Sequence, residues 1–125
     1  VYKRQILGGS VADLLLGGNG TDLIAGGLGA DSINGGAGND IMIDGRVSVR
    51  TPGKTLQSVL NGWAAKAVPV DADYAAITAD LLFTADKASR DTLTGGLGID
   101  WFWSATAGAV SDVLDIVSGE RRRLL

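Results

Sequence analysis

The sequence predicts a mainly β chain, in which short parallel strands wind as a right-handed coil interrupted by a two-helix insertion. Three observations carry this expectation. From Gly17 to Ile43 the chain repeats every nine residues. Each of those units opens on two glycines, holds an Asp at its sixth place and puts an apolar residue at its eighth. From Thr55 onward the apolar period changes to that of a helix.

The elements follow in order. Units 8–16, 17–25, 26–34 and 35–43 are contiguous, with Leu15, Ile24, Ile33 and Met42 at their eighth places. The first is degenerate, with Val11 where the others have Gly, and the register breaks at Asp44-Gly45. After Pro52 and Gly53, the residues Leu56, Val59, Leu60, Trp63, Ala64 and Ala67 form one helical stripe, which Pro69 stops. Asp71 is a suitable N-cap for a second helix with the stripe Tyr74, Ile77, Leu81 and Leu82. The nine-residue rule resumes in the tail Arg90–Thr94, with Asp91 at the sixth place and Leu93 at the eighth. A full unit follows from Gly95 to Trp103, with Asp100 and Phe102, and Ser111–Asp115 is read as one more tail. The expected organisation is one domain: repeats over 8–45, the insertion over 46–88, and resumed repeats with a closing strand over 89–120.

Composition narrows the chemistry. At 125 residues and 46% hydrophobic content the chain suits one small packed domain. A net charge of −3 gives no strong attraction to nucleic acid. Acid is present as thirteen Asp and one Glu, a bias that assigns it to turns rather than helix surfaces. His and Cys are both absent, which removes Cys/His zinc sites, Ser-His-Asp triads and disulfides. No apolar run reaches membrane-spanning length, so no membrane span is expected, and no catalytic constellation is read. With its start at Val1 the chain is expected to be a fragment, and Val1–Gln5 reads like translated sequencing adapter and is given no functional weight.

A glycine-rich turn followed by three extended residues buries nothing alone. If two units make one coil turn, unit n lies beside unit n+2, and the eighth-place side chains meet between two parallel sheets. The glycines supply positive φ angles and close backbone approach. The sixth-place aspartates then face each other: Asp13 with Asp31, Asp22 with Asp40, Asp31 with Asp91, and Asp40 with Asp100. Two bare carboxylates ~4 Å apart at an effective dielectric of ~20 repel by roughly 4 kcal/mol. A hard divalent cation reverses that sign. Calcium accepts about 6–8 carboxylate and carbonyl oxygens in forgiving geometry, whereas magnesium demands a tighter octahedron. Calcium is therefore the expected cofactor.

These units resemble the repeats-in-toxin (RTX) family of calcium-binding nonapeptides, through three consecutive full copies from Gly17 to Ile43 and a fourth at Gly95–Trp103. The resemblance implies a right-handed parallel β-roll that folds on binding calcium after export by a type I secretion apparatus. It implies the C-terminal module of a larger, secreted, extracellular bacterial protein, with the rest of that polypeptide as its partner. Carried onto the matching positions, the implied metal ligands are the carboxylates of Asp13, Asp22, Asp31, Asp40, Asp91 and Asp100. Beside them come the turn residues Gly17, Asn19, Gly26, Gly27, Gly29, Gly35, Gly36, Gly38 and Gly95. The run Asp112–Glu120 is similar to the strand that closes such rolls, and Arg121–Arg123 after it is expected to be a solvated end.

Parity also sets the outer faces. Units two, four and six present Leu23, Ala25, Ile41, Ile43, Trp101 and Trp103 on one sheet, while Ser32, Asn34, Thr92 and Thr94 lie on the other. The helical pair is expected to cover the apolar face. The competing functional expectation is an adhesion or glycan-binding module that displays Trp101 and Trp103 on the same calcium-stabilised roll.

Overall fold

The fold is that of a computed structural model, which describes residues 3–65, 71–84, 86, 88–104, 113–114 and 121–124. In chain order the elements are β1 (Lys3–Leu7), β2 (Leu14–Leu16), β3 (Thr21–Ala25), β4 (Ser32–Ala37), β5 (Ile41–Ile43) and β6 (Arg46–Val49). Then come α1 (Leu56–Ala64), α2 (Asp71–Asp80), β7 (Leu81–Thr84), β8 (Thr92–Leu97), β9 (Trp101–Ser104), β10 (Val113–Leu114) and β11 (Arg121–Leu124).

Strands alternate between two parallel sheets. One has the order β1-β3-β5-β9-β11 and the other β10-β8-β4-β2. Leu23 pairs with Ile41 and Leu15 with Ile33, so two nine-residue units complete one turn of coil. Across the interruption the register is kept: Ile33 pairs with Leu93 and Met42 with Phe102. The chain therefore leaves the coil after β5 and re-enters it in phase.

Two apolar clusters result from the period-2 alternation of each strand. Between the sheets lie Ile24, Ile33, Met42, Leu93 and Phe102, flanked by Ile6 and Leu15, all of them eighth-place residues or their equivalent. On the outer face of the β3-β5-β9 sheet, Leu23, Ala25, Ile41, Ile43, Trp101 and Trp103 pack with Val59, Leu60 and Trp63 of α1 and Tyr74 and Ile77 of α2. Trp63, Tyr74 and Trp101 meet edge-on or tilted, with ring centroids 4.6–5.8 Å apart. Each such side chain contributes roughly 1.5–3 kcal/mol by burial. The opposite sheet leaves Ser32, Asn34 and Thr92 exposed, as parity requires.

Helix α1 starts where its cap dictates. The Thr55 hydroxyl accepts the Ser58 N–H, and the Ser58 hydroxyl accepts the Thr55 N–H, which together satisfy two otherwise orphaned donors.

The structure corrects one expectation. Leu81 and Leu82 extend no helical stripe; they belong to β7, which pairs antiparallel with β6. The reason is tertiary: Leu81 is fully buried in the outer cluster, and the Arg50 N–H donates to the Asp80 carbonyl at 2.7 Å to close the pair. Arg121–Leu124 forms a strand in register with Trp101–Ser104. Lys3–Leu7 pairs in parallel with β3. Ala67, Pro69, Ser111, Asp112 and Asp115 fall outside the described residues.

Candidate metal centre

The expected aspartates sit at the equivalent place of their units: Asp13, Asp31, Asp40, Asp91 and Asp100 immediately precede a strand, and Asp22 is the second residue of β3. Asp22, Asp31, Asp40, Asp91 and Asp100 are buried, and Asp13 at the end of its column is half-buried. Two columns form. In one, the Asp22 N–H donates to Oδ1 of Asp40, and the Asp40 N–H to Oδ1 of Asp100, both at 2.8 Å. In the other, the Asp13 N–H donates to Oδ1 of Asp31 at 2.8 Å, and the Asp31 N–H to Oδ1 of Asp91 at 2.7 Å. All four facing pairs expected from parity are thus neighbours along a column.

These bonds use one oxygen of each carboxylate. The Oδ2 atoms of Asp22, Asp31 and Asp40 are buried with no hydrogen-bond partner among the described residues. An orphaned anionic oxygen is costly, since a buried acceptor left unmade forfeits about 1–3 kcal/mol and a charged one more. Burial pushes Asp40 up to about 7; the Asp22 N–H lowers it and the Asp22 charge raises it further. Burial also raises Asp31, with the charges of Asp13 and Asp86 adding to the effect and the Asp13 N–H opposing it. Asp22 is raised by burial despite the nearby Arg4, whose Nε lies 3.6 Å from Oδ1. Arg4 stands in register with Asp22, and its guanidinium also donates to the Gly17 carbonyl.

The glycines complete the cradle, in two ways. A Cβ on Gly35, the first place of its unit, would stand 2.5 Å from Asp40 Oδ2 and 2.9 Å from the Gly95 carbonyl oxygen. The same space beside Gly17 is bracketed by Asp22 Oδ2 at 2.8 Å and by the Gly35 carbonyl. Gly17 and Gly35 therefore leave room where an orphaned carboxylate oxygen and a carbonyl from the next coil turn converge. Gly36, at the second place, serves geometry instead: its φ is 96°, and a Cβ there would collide with the Gly18 carbonyl one turn below.

The remaining expected positions divide between these roles. Gly26 stands beside Asp31 Oδ2 and the Asp44 carbonyl as Gly35 stands beside Asp40 and Gly95, Gly95 stands beside the Asp100 carboxylate, and Gly27, Gly29 and Gly38 take positive φ in the stacked turns. Asn19 is exposed, its backbone bridged to Ala37. Among the described residues no three Asp or Glu side chains gather as a self-sufficient metal cluster. An ion here has to draw on backbone carbonyls, and a hard cation with oxygen preference and loose geometry suits that donor set.

Three participants were not legible as site residues. Asp44 and Asp86 are both buried at the interrupted turn. Trp63 donates its indole N–H to the Asn39 carbonyl at 2.8 Å, which ties α1 to the turn carrying Asp40. Asn39 Oδ1 in turn accepts the Ile99 N–H at 2.9 Å.

Stacked parallel turns with paired carboxylates and open carbonyls define a cation-binding repeat module. The family model that matches describes the RTX calcium-binding nonapeptide repeat, in 4 copies over residues 7–42 and 88–104. Those segments match the RTX repeat, and that repeat family binds Ca2+ as a structural, non-catalytic element. No curated protein matches the chain, and no solved structure does.

Proposed function

We propose that the chain is a calcium-dependent structural module of a larger exported bacterial protein, a right-handed β-roll that folds once calcium becomes abundant. The single observation that supports it most is the set of orphaned Oδ2 atoms on Asp22, Asp31 and Asp40, aimed at gaps that first-place glycines keep clear. When bound, calcium supplies the positive charge and the coordination those oxygens lack. The chain's residues do the rest: Asp13, Asp22, Asp31, Asp40, Asp91 and Asp100 provide charge, and the carbonyls of the glycine turns provide neutral ligands. The organisation proposed with this reading is repeats over 8–45, an insertion over 46–88 and resumed repeats over 89–120. The family's usual occurrence in secreted bacterial proteins supports placement at the C-terminal end of a parent polypeptide and export by a type I apparatus.

The energetics suit a switch. At calcium ten times Kd, each site adds roughly 1.4 kcal/mol to folding, so a few sites rival the whole stability of an ordinary domain. Sites of extracellular modules bind at about 10⁻⁴–10⁻³ M. The adhesion reading requires displayed rings, and Trp101 and Trp103 are only 3% and 1% exposed beneath the helices. Far-UV circular dichroism with chelator and then with added calcium tests the proposal. Gain of β signal and a higher melting temperature with calcium are expected; an equally ordered and equally stable chelated form would refute the switch.

A further inference from the structure

We propose that the turn interrupted by the insertion is a calcium site of distinct composition, in which the Asp86 carboxylate joins Asp31 and the Asp44 carbonyl. The inference rests on the calcium reading above and adds ligands that the nonapeptide pattern does not supply.

Position in the coil identifies the parts. Beside the first-place glycines Gly8, Gly17 and Gly35, the bracketing carbonyls belong to Gly26, Gly35 and Gly95, each the first place of the next coil turn. Beside Gly26 the bracketing carbonyl is that of Asp44, 3.1 Å from where a Cβ would stand. Asp44 is thus the first place of a fifth turn, and Gly45 its second, with the Gly27 N–H donating to the Gly45 carbonyl at 2.9 Å. The chain then departs into β6 and returns through β7 beside Gly45, and the sixth place of this turn is filled by Asp91. One turn is assembled from residues on both sides of the insertion.

What stands in the middle of that turn is Asp86. It is 3% exposed; its Oδ2 accepts the Gly29 N–H at 2.8 Å and its Oδ1 the Ala88 N–H at 3.1 Å. Each carboxylate oxygen keeps a lone pair after one hydrogen bond. In the ordinary turns the equivalent glycine N–H donates to an uncharged backbone carbonyl, Gly20 to Ala37 and Gly38 to Leu97, so this turn carries one negative charge more than its neighbours. That charge acts on Asp31, whose Oδ2 is buried, points at the Gly26 gap and has no hydrogen-bond partner among the described residues. Added buried acid beside an orphaned carboxylate oxygen is a defect without a cation and a stronger site with one. Because Asp44 precedes the insertion and Asp86 follows it, an ion held between them fastens both ends of the inserted segment to the roll.

The test uses the whole chain, calcium alone as ligand, and two readouts: calorimetric stoichiometry and amide hydrogen exchange of β6 and β7. In the unsubstituted chain calcium should slow exchange in β6 and β7. Asp86→Asn, which removes the charge and keeps one of the two oxygen acceptors that serve Gly29 and Ala88, should bind one calcium fewer and lose that slowing. Asp22→Asn should also lose calcium but keep the slowing, because its column lies apart from the interrupted turn. Unchanged stoichiometry in Asp86→Asn, or exchange in β6 and β7 indifferent to calcium that is measurably bound to the unsubstituted chain, would overturn the inference while leaving the calcium module intact. Absence of any calcium binding would overturn both.

Discussion

The backbone N–H of Asp22 donates to Oδ1 of Asp40 one coil turn away at 2.8 Å, and Oδ2 of Asp40 stays buried with no hydrogen-bond partner among the described residues. One oxygen of the Asp40 carboxylate stitches the coil together, and the other is the one proposed to meet a cation. Substitutions in this column separate the two roles.

Asp40 faces Asp22 on one side and Asp100 on the other, so Asp40→Ala should abolish more than one calcium site. Asp22→Ala removes one facing aspartate pair and should cost one site. Titration calorimetry at saturating calcium gives the two stoichiometries. Equal losses would contradict the column.

Acidity gives a second prediction. Asp40 has a folded value of about 7 against 3.8 as its ordinary value, so between those values the folded chain holds a proton that the unfolded chain has released. Its contribution to calcium-free stability is therefore fully present below pH 3.8 and is lost as pH rises through about 7. Chelated protein should melt at a lower temperature at pH 8 than at pH 5. Calcium needs the ionised carboxylate, so saturated protein should show the opposite trend over the same window.

Glycines test geometry against flexibility. Gly36→Ala forces a side chain into φ 96° and against the Gly18 carbonyl, and should cost at least about 1–2 kcal/mol. Gly62 lies inside α1 with nothing within 4 Å of a Cβ, and Gly62→Ala should stabilise by about 0.5–1 kcal/mol. Urea unfolding of the calcium form measures both.

Trp63 links the helices to the roll. Trp63→Phe keeps a ring in the cluster but removes the donor to the Asn39 carbonyl, a loss of about 0.5–1.5 kcal/mol; Trp63→Ala should cost about 3–5 kcal/mol. Because Asn39 adjoins Asp40, both variants should also weaken calcium binding. Thermal melts and calorimetry on the same preparations check the pair.

Much of this was legible in the sequence because the nine-residue repeat ties each residue to a place. Ile24, Ile33, Met42, Leu93 and Phe102 share one cluster because they share the eighth place. Parity likewise set Trp101 and Trp103 beneath α1 and α2. What escaped lies where local pattern and tertiary pairing disagree. Leu81 and Leu82 continue a helical spacing from Tyr74 and Ile77, yet pairing with Val49 and Ser48 draws them into a strand. Asp44 lost its place because the insertion cuts its unit after Gly45, so counting could not join it to Asp91. Asp86 has no repeat equivalent, and only the return path of β7 brings it to Gly29.

Diffraction from calcium-soaked crystals, collected for anomalous signal, tests the central claim most directly. The account predicts ions in the gap between Asp22 and Asp40 and in the gap between Asp40 and Asp100, each touched by an Oδ2 and a glycine carbonyl. Gaps holding water alone at saturating calcium would contradict it.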